Sequence, residues 1–446
     1  MRLRGLLIAA VILAALVGAL YWSNHHSSNA DTAIKPATDA PTKILFLSQP
    51  DITSVAIQRK NEPALDLSRN NSGAWQITAP KPLTADQDSV SSLLSALSSL
   101  NAERLLDDKA SDVASYGLAT PAVEIDVTSK NNQTKKLRIG DQTPSGNAFY
   151  AMLAGDPRLF TLASYTKSSV DKTADDLRDK RLLTTDFDKV SQIELITQKP
   201  DKKQAITFAR NKDAWQILKP GAFRAENFKV EDLVRSLKDA KMDHETGSDD
   251  SKVAAAFKSA TPFVAVKISG ASGTQELEIR KAKDDYYAKS TAVPGVFKVP
   301  ATVATSLDKP LDDFRNKKLF DFGFEDPNKI EIRDGSKSYV FTHSGSDWSG
   351  PDGKKLDDSS VQNLLGNIRD LSAEKFPESG LAMPSMEITV TSNDSKRVEH
   401  VSIAKAGAGY IGKRESEPAL YELPSSAISQ LEDSAAKVKP AASPAK

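Results

Sequence analysis

The chain has no cysteine. That excludes disulfides, thiol nucleophiles, Cys-ligated metals and a lipid anchor on an acylated cysteine. Net charge is missing as well: 59 basic residues against 59 acidic ones leave nothing to draw nucleic acid or another polyanion. Catalytic signatures are equally scarce, with no HExxH pattern, no GxSxG and no EF-hand loop spacing. Long apolar runs are limited to one.

That run is residues 6–22, LLIAAVILAALVGALYW, free of charge and preceded by Arg2 and Arg4. It meets the short end of the ~17–25 residues that cross a hydrocarbon core as a helix. Tyr21 and Trp22 suit the far interface, and the N-terminal arginines keep that end in the cytoplasm. The expectation is a single-pass inner-membrane anchor with the bulk of the chain periplasmic. The alternative is a cleaved signal peptide with Val17-Gly18-Ala19 as its small-residue site. The apolar run continues past that site, which favours the anchor. Residues 23–42 read as a flexible tether in which His25 and His26 are solvated, and residues 438–446 as a disordered tail.

Between tether and tail the sequence repeats. Trp75, Trp215 and Trp348 each sit in a short strand-like run, each is followed by a proline (Pro80, Pro220, Pro351), and then an amphipathic helix begins. Its apolar stripe is Val90, Leu93, Leu94, Leu97 and Leu100 in the first repeat. Val230, Leu233, Val234, Leu237 and Ala240 answer it in the second, and Val361, Leu364, Leu365, Ile368 and Leu371 in the third. The spacing i, i+3, i+4, i+7, i+10 puts all five on one helix face. Thr84 and Gln87 fit a capping box for the first of these helices, which is expected to run to Leu100. Strand pairs follow: Val123/Ile125/Val127 with Leu137/Ile139, and Val264/Val266/Ile268 with Leu277/Ile279. A second helix is expected over residues 163–177, ending in LRDKRLL (177–183), whose counterpart is FRNKKLF (314–320).

The expected fold is therefore α+β: an N-terminal transmembrane helix, then three tandem modules, each a twisted antiparallel sheet packed on two helices. The boundaries read as anchor 1–22, tether 23–42, modules 43–183, 184–320 and 321–437, and tail 438–446.

What recurs is Trp, Pro, Tyr and an apolar stripe; no acid, base or nucleophile recurs at comparable spacing. No catalytic, cofactor-binding or metal-ligating residue is assigned. The tryptophans are expected at equivalent buried positions, each a core anchor rather than a ligand platform. GDQTPSG (140–146) precedes a strand and lacks a Gly-Lys-Ser/Thr ending, so it reads as a hairpin turn. Paired acids such as Asp175-Asp176, Asp312-Asp313 and Asp357-Asp358 read as helix starts and solvated faces. His244, His343 and His400 stand alone, and a site assembled from them with nearby acids between modules stays open.

GAWQITAP (73–80), SYGLATPAVEI (115–125), LRIGDQTPSGNAFYA (137–151) and LRDKRLL together resemble the bacterial family called domain of unknown function 4340. The first repeat carries the likeness best. The resemblance implies an envelope protein anchored by one N-terminal helix, with genes beside gliding-motility-type ABC transporter components, and no assigned chemistry. Two functions follow as expectations. The first is a non-catalytic, membrane-tethered periplasmic accessory or scaffold, held to the inner membrane through residues 6–22 and partnered by ABC transporter membrane subunits or other envelope proteins. The alternative is an envelope hydrolase, or a polysaccharide- or peptide-binding protein, with its site between modules.

Overall fold

The computed structural model describes residues 42–199, 202–243, 250–322, 327–393 and 395–441. The anchor and signal-peptide readings of residues 6–22, most of the tether, His25, His26, His244 and residues 442–446 of the tail lie outside the described residues. Among the described residues no helix is long and apolar enough to cross a membrane. The described residues form two compact units, one of the chain up to Pro82 with Val90–Lys172, the other of Leu83–Ser89 with the chain from Thr173 onward.

The fold is α+β, built of antiparallel sheets with eight helices among the described residues. In the first unit the strand order is Trp75–Ala79, Leu65–Arg69, Ile52–Arg59, Val123–Ser129, Thr134–Gln142, Ala148–Leu153, Leu159–Ala163, with Arg104–Asp107 beyond. The second large sheet runs Ala214–Lys219, Lys202–Asn211, Val190–Lys199, Thr261–Gly270, Gly273–Ala282, Asp285–Ser290, Val296–Val299. The third runs Asp347–Ser349, Lys337–Ser344, Lys329–Asp334, Met386–Ser392, Arg397–Ala406, Gly409–Arg414, Leu420–Leu423. Numbered within its own repeat, each order is 3-2-1-4-5-6-7. Short turns join 1-2-3 and 4-5-6-7 into two meanders, and the stripe helix lies in the connection between them. At the seam between strands 1 and 4 the same apolar pairs meet each time: Val55 with Val127, Ile193 with Ile268, Ile330 with Val390.

The stripe helices are Gln87–Ser98, Asn227–Lys238 and Asp358–Asp370. Their first four stripe residues are buried in every repeat. Leu100, Ala240 and Leu371 are buried too, but each lies just past its helix. In the first repeat the Ser98 carbonyl accepts Leu47 N–H at 2.8 Å, and the chain leaves the helix there. Residues Ser99–Asn101 then pair with Lys43–Phe46, making a fourth, two-stranded sheet where three sheets were expected. The capping box expected at Thr84 is not formed. Thr84 belongs to a short strand, Leu83–Thr84, and the cap is Asp86, whose Oδ1 accepts Ser89 N–H at 2.8 Å.

Two further differences concern helices. The one expected over 163–177 is two, Ser164–Val170 and Ala174–Leu177, the second restarted by a Thr173–Asp176 capping box. An unexpected one, Asp250–Ser259, stands in the second repeat where the first has SYGLATP. The first repeat's loop works only with glycine: a Cβ on Gly140 would meet Tyr116 O at 2.1 Å, and Gly117 sits at φ 68 against the Asp141 carboxylate. In the second repeat Arg280 stands in place of Gly140 and packs its guanidinium 4.5 Å from the Phe257 ring. The close approach is lost, and a helix fills the space. Two helices per sheet therefore does not hold throughout. The GDQTPSG turn is a hairpin as expected, closed by Thr143 N–H to Ala148 O at 2.9 Å.

Candidate functional site

Trp75, Trp215 and Trp348 are buried, 4%, 2% and 2% exposed. Each lies opposite a residue of the neighbouring strand that covers its ring: Arg69, Arg210 and His343, in that order. All three covering groups stand 4.8 Å from the ring centroid, and the imidazole is stacked at 18°. His343 thus takes the place of an arginine and does the same packing. Trp215 Nε1–H donates to Glu231 Oε1 at 2.7 Å, and Arg210 also pairs with that carboxylate. His400 Nδ1 lies 2.9 Å from Thr389 Oγ1 on the next strand. His343 and His400 are three strand spacings apart in one sheet, about 14 Å at ~4.8 Å per strand. They are not brought together.

The paired acids do cap and pair. Asp357 Oδ2 accepts Ser360 N–H at 3.0 Å to start its helix, and Asp175 binds both Arg178 and Lys180 at 2.9 Å.

The two basic linkers are held alike. Around LRDKRLL, Asp86 N–H donates to Leu177 O, Asp179 N–H to Thr84 O, Leu182 N–H to Ala240 O and Met242 N–H to Lys180 O, all within 2.8–2.9 Å. Around FRNKKLF, Glu226 N–H donates to Phe314 O, Asn316 N–H to Arg224 O, Leu319 N–H to Leu371 O and Ala373 N–H to Lys317 O, within 2.8–3.0 Å. The charges differ. In the first linker Arg181 pairs with Asp179 at 2.6 Å. In the second those positions are Lys318 and Asn316, and neither Lys317 nor Lys318 has an ion pair among the described residues.

Beside the second linker lies a buried ionic network. Glu417 Oε1 accepts Arg224 Nε–H at 3.1 Å and the Tyr421 hydroxyl, and forms an ion pair with Arg414, whose Nε lies 3.1 Å away. Arg414 also meets Glu399 at 3.0 Å and donates to Leu319 O. Burial works against the Arg224 charge, but Tyr421, Glu417 and Asp321 around it prevail and hold it above the ordinary guanidinium value. Arg315 lies between the rings of Phe223 at 4.2 Å and Phe376 at 3.7 Å, and burial pushes it below that ordinary value. Its Nε has no hydrogen-bond partner among the described residues. On the solvent side of this arginine is a cleft of about 840 Å³ whose lining includes Phe228, Lys229, Lys309, Lys317 and Lys318.

Burial pushes the Tyr421 hydroxyl up to about 12; Arg224 pulls it down and Glu417 adds to the rise. The folded value lies above the unfolded 10.0, so the contribution is complete below pH 10 and is lost as pH climbs from there towards about 12. Stability of the second unit is expected to fall across that window and Tyr421→Phe to flatten the slope. Urea unfolding at stepped pH checks this; an unaltered slope in the variant would show that another group titrates.

A family model described as a domain of unknown function, DUF4340, matches residues 75–216 and again 215–394. The chain belongs to the DUF4340 family. No curated protein and no solved structure matches it. The two matches begin on Trp75 and Trp215, the tryptophan of strand 3 in the first and second repeats. Each match opens on strand 3 of one sheet; the first reaches through the next sheet's first two strands, and the second through the third sheet's first four. Two of the DUF4340 motifs meet at a close backbone approach. SYGLATP and LRIGD meet at Gly140, and the rings of Tyr116 and Tyr150 stand 4.8 Å apart.

Proposed function

We propose that this protein is a non-catalytic scaffold of the cell envelope, tethered to the inner membrane through residues 6–22, with three tandem modules in the periplasm. On this reading it serves an ABC-type transporter or another envelope assembly, the partner class that the family resemblance implies. The observation that carries the reading is what has been triplicated. Each repeat keeps a tryptophan under a covering side chain, an apolar stripe and a seam between two meanders, and both basic linkers keep the same four backbone hydrogen bonds. These are structural duties. His343, a candidate for a composite catalytic site, performs the duty of Arg69 and Arg210. Tandem modules multiply contact surface and raise effective concentration without chemistry in each one.

Pull-down of the full chain from detergent-solubilised membranes tests the proposal. Integral membrane subunits are expected to co-purify, more weakly after deletion of residues 321–437, and equally well from His343→Ala and His400→Ala. Absence of any partner, together with loss of a cellular phenotype in a single folded and abundant His→Ala variant, would overturn it. Reporter fusions after Ser23 and the mass of the mature N-terminus test the placement. A soluble protein starting at Leu20 would sink the anchor.

A further inference from the structure

The cleft beside the second linker deepens the scaffold reading and rests on it. We infer that this cleft docks an acidic, extended segment of a partner protein, with carboxylates on Lys229, Lys309, Lys317 and Lys318 and an apolar side chain on Phe228.

The chain supplies its own comparison. In the first linker Arg181 is neutralised by Asp179 and also feels Asp86 and Asp88. At the matching positions of the second linker stand Lys318, Asn316, Glu226 and Phe228. Two of the three acids are gone, one replaced by an amide and one by an aromatic ring. Phe228 is 64% exposed on the first turn of its helix and supplies the apolar surface among these charges. The four lysines are exposed and make no ion pair among the described residues. The buried Arg315 also lines the cleft, its guanidinium paired with Asp312 at 3.4 Å. Excess positive charge around an exposed ring calls for negative charge next to apolar surface.

The acids that remain narrow the choice of ligand. Glu226 and Asp313 line the same cleft, and Asp232 is already held by Arg235 at 3.2 Å. A uniformly charged polymer or a close-packed anionic lipid surface would set its charges against Glu226 and Asp313. A peptide with spaced carboxylates can avoid them. At about 840 Å³ the cleft has room for several side chains.

The test uses the full chain in detergent and a short fluorescein-labelled peptide alternating glutamate with leucine, read by anisotropy. Binding is expected, weaker in raised salt. It should fall about tenfold in Lys317→Glu/Lys318→Glu and several-fold in Phe228→Ala, while a charge reversal at the exposed Lys60 of the first unit, Lys60→Glu, leaves it unchanged. Urea midpoints matching wild type show that the variants fold. No binding to wild type, or binding indifferent to all these changes, overturns the inference. So does lysine-dependent binding to phosphatidylglycerol vesicles in place of the peptide. The detergent pull-down separates this inference from the reading beneath it. Partners retained by Lys317→Glu/Lys318→Glu overturn the cleft and leave the scaffold standing. Partners missing from wild type overturn the scaffold, and the peptide measurement still decides the cleft.

Discussion

Replacement of Trp215 by alanine is expected to destabilise the second unit by about 3–5 kcal/mol, the range for removing a large aromatic side chain from a core. The ring is 2% exposed, and its loss also removes the donor to Glu231 and the platform under Arg210. Urea unfolding followed by circular dichroism gives the size of the loss. Arg210→Ala should cost far less, about 0.5–2 kcal/mol, because the cation contributes only its interaction with the ring face and with one carboxylate. If Trp215→Ala costs no more than Arg210→Ala, the tryptophan is not the anchor of its sheet.

An effect of similar size is expected at Glu417. Glu417→Ala takes from the guanidiniums of Arg224 and Arg414 the one carboxylate they share, in a region where Glu399, Arg414 and Tyr421 are all buried. Breaking a buried pair outright costs about 3–5 kcal/mol; here that is the upper bound, because Glu399 still pairs with Arg414, and Asp321 and the Tyr421 hydroxyl still meet Arg224. Glu417→Gln keeps the shape and an acceptor oxygen, and is expected to cost less. The same urea series measures both. An alanine variant as stable as wild type would mean that water replaces the Glu417 carboxylate at the two arginines, and would overturn this expectation.

The repeat was legible because its signals are local. A five-residue stripe and a tryptophan ahead of a proline declare themselves within 30 residues or so, by periodicity alone. Tryptophan burial, the hairpin at GDQTPSG and the correspondence of the two basic linkers all came from such signals. The ionic network did not, because Arg224 and Glu417 are 193 residues apart and nothing local marks either as a partner of the other. Helix ends were misjudged for a related reason. Thr84 and Gln87 satisfy a capping box on paper, but a strand had already claimed Thr84, and Asp86 was left to cap. The helix Asp250–Ser259 carries no such local mark, and what packs against it, the Arg280 guanidinium on Phe257, lies more than 20 residues further along the chain.

The strand order 3-2-1-4-5-6-7 sets a timetable. Hairpins within a meander close in about 1–10 μs because their ends are neighbours in the chain. The seam joins Ile52–Arg59 to Val123–Ser129, and all of Leu65–Arg69, Trp75–Ala79 and the stripe helix must exist before it can form. A chain emerging N-terminus first, at about 5–20 residues per second, leaves strand 1 unpaired on that side for seconds. Each sheet thus spends its youth as one half-sheet with an apolar edge waiting for strand 4. The danger period for aggregation recurs three times in one synthesis, and ends each time when Val127, Ile268 or Val390 arrives opposite its partner.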